Sequence, residues 1–539
     1  MSVLAVENLS VGFSGVDGDS VAVREVSFAV EPGRTLGIVG ESGSGKSVSL
    51  LAATGLLGPG AVVRGRALHH GTDLIAAPPR QLRAIRGKDI GFVFQDPLSN
   101  LHPLMPIGRQ IAEAITAHGR VPRAALRARV LELLDEVGIA RAAERIDDYP
   151  VHFSGGMRQR VMIAIAVANN PGLVIADEPT TALDTTVQAS ILTLLQRLQN
   201  DHGTAMIVVS HDLAVVSDVA HDVVVMRNGE VVETGSAREI YTAPAHPYTR
   251  TLLDARPTIG SRPAHHRATE VERPALLRVS DLSKSFEGRR RHSRNQVLTG
   301  VNFTIGQGEI VGLVGESGSG KSTIGRIVAG LDRPDSGSVS FRESQYGLAG
   351  RGAPRLAQDL RRSIQMVFQD PYGSLNPRRR IGDILSSPYE LDGTLSRERI
   401  HELVEHLVVR VGLPVEFLQR FPGQLSGGQR QRVAIARAVA LEPALVVADE
   451  PVSALDVTTQ RQIIELLHSL RTESGTSILF VSHDLGAVSA LCDRVVVLQQ
   501  GRIVEEGPVG DVFADPRHDY TRALLDAVPG RGRLDAVHV

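Results

Sequence analysis

The chain has 539 residues, 42% hydrophobic and 22% charged, with a net charge of −2. That length suits roughly two to four domains with buried cores, and the neutral balance gives no global field for nucleic acid. A single cysteine, Cys492, excludes an internal disulfide, a cysteine-rich zinc site and a Cys-ligated iron–sulfur cluster.

In chain order, the N-terminal residues lack the basic and apolar regions of a signal peptide, and no run of about 18 apolar residues could span a membrane. Residues 35–39 are a short apolar run that reads as a buried strand. It ends in Gly40, Glu41, Ser42, Gly43, Ser44, Gly45, Lys46 and Ser47, the phosphate-cradling G-x-x-x-x-G-K-[ST] loop. A helix is predicted over 48–57. Phe94-Gln95-Asp96-Pro97 follows, then helical patterns such as 124–137, with Leu126, Val130, Leu133, Leu134 and Val137 on one side. They suggest a helical subdomain inserted in an α/β core. Ser154, Gly155, Gly156 and Met157 follow it. Residues 173–176 read as a strand ending in Asp177-Glu178, and 205–210 as another ending before His211. Residues 223–234, centred on Asn228-Gly229, read as a hairpin.

The landmarks then recur. Gly315, Glu316, Ser317, Gly318, Ser319, Gly320, Lys321 and Ser322 repeat the octapeptide; Gln369, Ser426-Gly427-Gly428-Gln429, Asp449-Glu450, His483 and Tyr520-Thr521-Arg522 repeat the rest in order. The offset between copies drifts only from 275 to 272 positions, which means tandem domains rather than a short-repeat solenoid. The second copy has predicted strands at 309–314, 445–448 and 477–482 and a helix at 323–331. The expected organisation is a first domain over 1–256, a Pro-, Arg- and His-rich linker over 257–274, a second domain over 275–530 and a tail over 531–539. The runs Arg289–Arg291 and Arg378–Arg380 and the doublets His69-His70 and His265-His266 read as solvated loop residues.

The chain has only four lysines among 58 basic residues, and two are Lys46 and Lys321. A compact ammonium fits between phosphates where a planar guanidinium does not substitute freely. The glycines let the backbone approach phosphate at a helix N-terminus, and Ser47 and Ser322 offer a hydroxyl to Mg²⁺. Asp177 and Asp449 suit Mg²⁺ through water, while Glu178 and Glu450, beside them at strand ends, suit polarising an attacking water.

Leu425-Ser426-Gly427-Gly428-Gln429, followed by Arg-Gln-Arg-Val-Ala-Ile-Ala-Arg-Ala, resembles the signature motif of ATP-binding-cassette ATPases. Gln95 and Gln369 resemble their Q-loops, with a part in holding nucleotide and metal. His211 and His483 resemble the switch histidines, and Ala182-Leu183-Asp184 and Ala454-Leu455-Asp456 the D-loops. Phe13 and Phe286, each just upstream of a first core strand, resemble the aromatic that stacks on adenine; ordinary packing is the alternative. The resemblance implies an α/β fold of two tandem P-loop ATPase domains, each a RecA-like core with an inserted helical subdomain, using ATP and Mg²⁺. It also implies two sites made head to tail: Lys46, Asp177, Glu178 and His211 facing Ser426–Gln429, and Lys321, Asp449, Glu450 and His483 facing Ser154–Met157. The first signature departs from the usual pattern at Phe153 and Met157, so the two sites are expected to share a backbone turn but not glutamine's hydrogen bonds. With both Glu178 and Glu450 present, both sites are expected to hydrolyse ATP.

Phe153-Ser-Gly-Gly-Met-Arg-Gln-Arg-Val-Met and His246-Pro-Tyr-Thr-Arg resemble the dipeptide, oligopeptide and nickel importer subfamily; the second copy departs at His518-Asp519. That resemblance implies a peripheral subunit on the cytoplasmic face of the membrane. Its partners would be two integral-membrane permeases and an extracytoplasmic binding protein, with no nucleic acid and no iron–sulfur cluster in this chain. Peptides are the first expected cargo, glutathione or nickel the next. The rival is a soluble twin ATPase acting on ribosomes or nucleic acid.

Overall fold

The computed structural model describes residues 2–15, 18–181, 183–260, 273–287, 294–342, 344–346, 358–453 and 455–530. They fall into two compact units, within Met1–Ala255 plus Val528–Val539 and within Arg256–Ala527. Most of the expected linker, the tail over 531–539, Arg289–Arg291, His265-His266, Ala182 and Ala454 lie outside the described residues.

In the first unit the strands are β1 (Leu4–Gly15), β2 (Gly18–Val30), β3 (Thr35–Val39), β4 (Ala61–His69), β5 (Thr72–Asp73), β6 (Ile90–Val93), β7 (Leu173–Asp177), β8 (Ala205–Ser210), β9 (Asp222–Arg227) and β10 (Glu230–Ser236). The main sheet has the order β10-β9-β3-β8-β7-β6 and is parallel except for the β9–β10 hairpin. Every residue of β3, β7 and β8 is buried, which is why these strands read as unbroken apolar runs rather than as alternation. Their C-terminal ends carry the P-loop, Asp177-Glu178 and His211, the edge where open α/β sheets bind ligands.

The second unit repeats this with β11 (Ala275–Glu287), β12 (Arg294–Gly306), β13 (Ile310–Val314), β14 (Ser336–Phe341), β15 (Ser344–Tyr346), β16 (Ile364–Val367), β17 (Leu445–Asp449), β18 (Ser477–Val481), β19 (Arg494–Gln499) and β20 (Arg502–Pro508). Its main sheet runs β16-β17-β18-β13-β19-β20.

The predicted strands 35–39 and 205–210 match β3 and β8. The predicted hairpin is β9–β10, with Asn228 and Gly229 at φ 50° and 83°, both in the left-handed region that a tight hairpin of this twist requires. The helix expected over 48–57 instead spans Lys46–Ala53. It starts inside the P-loop and stops where the Thr54 hydroxyl bonds back to Leu50 at 2.8 Å and Gly55 turns to φ 65°. Its counterpart is Lys321–Val328 rather than 323–331.

Between β6 and β7 lie the helices Ile107–Thr116, Arg123–Glu136 and Gly155–Val167. Ile107, Ile111, Val130, Leu133, Leu134 and Val137 are buried together, and Leu126 lies at the edge of that cluster. The equivalents are Ile381–Asp392, Arg397–Arg410 and Gly427–Val439.

Each unit also has a four-stranded antiparallel sheet, β2-β1-β4-β5 and β12-β11-β14-β15, that the sequence reading did not anticipate. Phe13 and Phe286 lie upstream of β3 and β13, the first main-sheet strands, within β1 and β11 of these antiparallel sheets. His69 is not a solvated loop residue: it ends β4, is 4% exposed, and its Nδ1 lies 2.9 Å from the Val3 carbonyl.

Candidate functional site

The P-loop is shaped by three left-handed glycines in each copy: Gly40, Gly43 and Gly45 at φ 155°, 81° and 96°, and Gly315, Gly318 and Gly320 at 151°, 79° and 108°. A Cβ on Gly40 would lie 2.2 Å from the Met226 carbonyl oxygen, and on Gly315 2.1 Å from that of Leu498, so the loop enters pressed against the hairpin strand. Gly43 and Gly318 face open space, with Ser42 and Ser317 exposed beside them and Ser44 and Ser319 buried. The hairpin tip holds the loop from the other side, Gly229 N–H donating to the Ser44 carbonyl at 3.1 Å.

Both lysines are buried and turned onto their own loops. Lys46 Nζ donates to the carbonyls of Gly40 and Glu41 at 2.8 Å each, and Lys321 Nζ to those of Gly315 and Glu316 at 2.7 and 2.9 Å. The Ser47 hydroxyl donates to Asp177 at 2.8 Å, and that of Ser322 to Asp449 at 3.0 Å. Burial raises the Asp177 carboxyl to about 6 against the pull of the Ser47 bond, with neighbouring Glu178 adding to the rise. Burial raises Asp449 likewise. A buried carboxylate joined to a hydroxyl, held above its ordinary range, is an all-oxygen donor set that fits a hard divalent cation completed by phosphates.

The next residue behaves in the opposite way. Glu178 and Glu450 both sit at φ 47°, a left-handed conformation uncommon outside glycine and frequent at functional sites. The turn is held by their N–H groups, which donate to Val209 and Val481 at 3.1 and 2.9 Å. Gln95 donates to Glu178 and Gln369 to Glu450, both at 2.8 Å. His211 Nδ1 lies 3.5 Å from Glu178, and His483 Nδ1 3.3 Å from Glu450. Burial pushes the Glu178 carboxyl up, but His211 and Thr181 more than offset it and hold the carboxyl at about 2. Glu450, pushed up by burial, is likewise lowered, here by His483, Lys321 and Gln369. His211, penalised by burial, is nevertheless raised by its bond to Glu178. The glutamate is therefore ionised and able to accept a water's proton in a hydrogen bond, while its low basicity suits orienting that water more than carrying its proton away.

The signature turns form a separate feature of each unit. Ser154 and Ser426 have nearly the same backbone (φ −66° and −67°, ψ 167° in both), and their hydroxyls cap the N–H of Met157 and Gln429 at 3.4 and 3.3 Å. Gly155 and Gly427 open these helices. A Cβ on Gly156 would lie 2.4 Å from Val187, and on Gly428 2.2 Å from Thr459, so the turn is seated against the helix after the D-loop. The copies then part. Gln429 Oε1 accepts the Ser426 N–H at 2.9 Å, completing a capping box. Met157 lacks that reach; its sulfur instead accepts from Arg145 at 3.1 Å, and the same guanidinium lies 5.6 Å from the Phe153 ring.

Phe13 packs at the edge of the first unit's core. Phe286 is 43% exposed, with Lys284 Nζ 5.1 Å from its ring. The sequence reading overlooked Thr181, whose hydroxyl donates to Glu178 at 2.8 Å. Its place three residues after Glu178 was the available signal.

The model of the ABC transporter family matches residues 23–181 and 298–453, one match on each unit's P-loop and Asp-Glu pair. The chain belongs to the ABC transporter family. Its members are ATPases. A second model, the oligopeptide/dipeptide transporter C-terminal region, matches residues 232–296 and 504–536. The chain is 45% identical to a glutathione import ATP-binding protein of Pectobacterium atrosepticum, covering 98% of this chain and 89% of that one. It is 43% identical to a peptidoglycan transport ATP-binding protein of Agrobacterium fabrum, covering 97% and 96%. In fold it is similar to the archaeal ribosome recycling factor aABCE1, solved with the ribosomal stalk protein aP1, at a TM-score of 0.61 and 20% identity over 93% of this chain and 90% of that one. Among the described residues of this ABC chain, no helix is long and apolar enough to cross a membrane.

Proposed function

We propose that this chain is the ATP-hydrolysing subunit of a membrane importer for peptides or a related small solute such as glutathione, with nickel as a further candidate cargo. The observation that carries the reading is the oligopeptide/dipeptide C-terminal region, matched twice, over residues 232–296 and 504–536, beside relatives whose names specify import of glutathione or transport of peptidoglycan. The subunit would sit on the cytoplasmic face of the membrane, bound to two integral-membrane permeases served by an extracytoplasmic binding protein.

In each unit the P-loop amides and lysine would hold the ATP phosphates, with Phe13 or Phe286 beside the base and Gln95 or Gln369 reaching the γ-phosphate side. Ser47 with Asp177, and Ser322 with Asp449, would hold Mg²⁺, which when bound neutralises phosphate charge. Glu178 and Glu450 would orient water, and His211 and His483 would release them from their present pairing to bond the γ-phosphate. Ser154–Met157 and Ser426–Gln429 would each complete the nucleotide site of the other unit, so that ATP draws the units together and hydrolysis frees them. The work comes from the higher affinity of the closed state for ATP.

The test is affinity purification of the tagged chain from its own membranes, followed by ATPase assay of the reconstituted complex with dipeptides, oligopeptides, glutathione and nickel. Copurifying multispanning permeases and stimulation by one cargo class support the reading. Copurifying ribosomes sink it, and would favour the soluble twin ATPase.

A further inference from the structure

The Tyr-Thr-Arg segments at Tyr248–Arg250 and Tyr520–Arg522 repeat with the catalytic landmarks, yet the ATPase chemistry above makes no use of them. Each tyrosine reaches a P-loop. Glu41 N–H donates to the Tyr248 hydroxyl at 3.2 Å, and Glu316 N–H donates to the Tyr520 hydroxyl at 2.9 Å. These N–H groups belong to the Gly40–Glu41 and Gly315–Glu316 peptides, whose carbonyls, those of Gly40 and Gly315, receive Lys46 Nζ and Lys321 Nζ at 2.8 and 2.7 Å. One peptide group is thus gripped at both ends, by a tyrosine on its N–H and by the P-loop lysine on its carbonyl. It follows a glycine at φ 155° or 151°, where the backbone has the freedom to turn unless something holds it.

The tyrosines themselves are firmly seated. Glu233 on β10 accepts from the N–H groups of Ala245 and His246 at 2.7 and 3.1 Å and from the Thr249 hydroxyl. Glu505 on β20 accepts from those of Arg517 and His518 at 2.8 and 3.1 Å. His246 Nδ1 and His518 Nδ1 accept the N–H of Tyr248 and Tyr520, both at 3.1 Å. Tyr248 is 5% exposed, with the Arg227 guanidinium 4.7 Å from its ring centre. The Pro247 to Asp519 change between the copies leaves this arrangement intact.

We propose that Tyr248 and Tyr520 are positioning residues for the P-loop lysines: each hydroxyl fixes the peptide group on which the ammonium rests, so that ATP meets a loop already in one conformation. The inference rests on the ATP-binding reading of these loops. When the lysine leaves its carbonyl for phosphate, the tyrosine keeps that peptide from turning, so the ordering is done before nucleotide arrives.

The experiment uses the purified full chain and a fluorescent ATP analogue, with Tyr248→Phe, Tyr520→Phe and the double variant, which delete only the hydroxyls. The double variant is expected to raise the Kd for the analogue and the KM for ATP about three- to tenfold, the equivalent of one net hydrogen bond. The kcat at saturating ATP stays within about twofold, because a saturated loop is ordered by its ligand. Unchanged Kd and KM overturn the proposal, as does a loss of kcat as large as the change in KM, which would make the tyrosines mere struts. Wild-type protein that fails to bind the analogue sinks the ATP reading itself; normal wild-type binding with unaltered variants sinks only this inference.

Discussion

Asp177→Asn is expected to stabilise the nucleotide-free protein while abolishing ATP turnover in its unit. The side chain is 5% exposed, and its carboxyl titrates at about 6 instead of 3.8, burial being the largest cause. That interval corresponds to about 3 kcal/mol that the ionised carboxylate costs the folded state. A carboxyl raised in the folded state adds full stability below its unfolded pKa of 3.8 and loses it as pH climbs through about 6. The cost is therefore complete above about pH 7 and roughly half as large at pH 5. Asparagine keeps an oxygen for the Ser47 hydroxyl, which donates at 2.8 Å in the native protein, and carries no charge to desolvate. Differential scanning calorimetry from pH 5 to 8 should show the first unit of the variant melting roughly 6–12 °C higher than wild type at pH 8, with the gain shrinking toward pH 5. ATP with Mg²⁺ should raise the wild-type melting temperature through ligand linkage and do less for the variant. A variant no more stable than wild type at pH 8, or a gain independent of pH, would refute the assignment of Asp177 as a desolvated carboxylate.

Glu178→Gln and Glu450→Gln should each reduce steady-state ATP turnover, by up to about a hundredfold where the two sites turn over together, the lower end of what a positioned acid–base group contributes; full turnover in Glu178→Gln beside none in Glu450→Gln would show that the sites do not share the work. Gly156→Ala should cost about 1–3 kcal/mol in unfolding experiments, since its Cβ would lie 2.4 Å from Val187, whereas Gly155→Ala, whose nearest neighbour is Leu183 at 3.4 Å, should cost less; equal losses would mean that the seat on Val187 is not what requires glycine. Met157→Gln should supply the missing half of the first capping box and stabilise the first unit by about 0.5–1 kcal/mol, read as a rise in its calorimetric transition; a fall would show that the Arg145–Met157 contact at 3.1 Å contributes more than the box.

The sequence disclosed the main sheet and the motifs carried at its edge because both are written locally. A strand buried on two faces reads as an apolar run, and a P-loop needs particular residues at fixed spacing. The antiparallel sheets were not legible for the opposite reason. In β1 the register shifts between Val6 and Leu9, between Leu9 and Val11 and between Val11 and Gly12, so bulges break the period-two pattern that identifies a half-buried strand. The trace that survives is in β2, where Val26, Phe28 and Val30 alternate into the core. His69 was misread because a histidine at a loop edge gives no sign that its ring will meet the Val3 carbonyl. The left-handed Glu178 and Glu450 depend on neighbouring strands, through N–H bonds to Val209 and Val481, and nothing within Ala-Asp-Glu-Pro announces them. The tyrosines were visible as a repeat, but their bond to the P-loop spans 207 positions in the first copy and 204 in the second.

The two units form an internal comparison that separates what the chemistry requires from what it tolerates. Lysine to loop carbonyl is 2.8 and 2.7 Å, serine to aspartate 2.8 and 3.0 Å, and glutamine to glutamate 2.8 Å in both. Both glutamates keep the same φ of 47°. Divergence lies at Thr181, whose hydroxyl donates to the Glu178 carboxylate where that of Ser453 donates to the Glu450 backbone carbonyl, and more widely at the signature, where Phe153, Met157 and the Arg145 guanidinium stand in for Leu425 and the capping Gln429. The groups that would touch phosphate and metal are thus equally equipped, and the larger difference falls on the element proposed to close each site. Unequal behaviour of the two sites would then arise mainly in closure. Closure is governed by the differential affinity of two conformations, so a change of a few hydrogen bonds at one signature is enough to shift it.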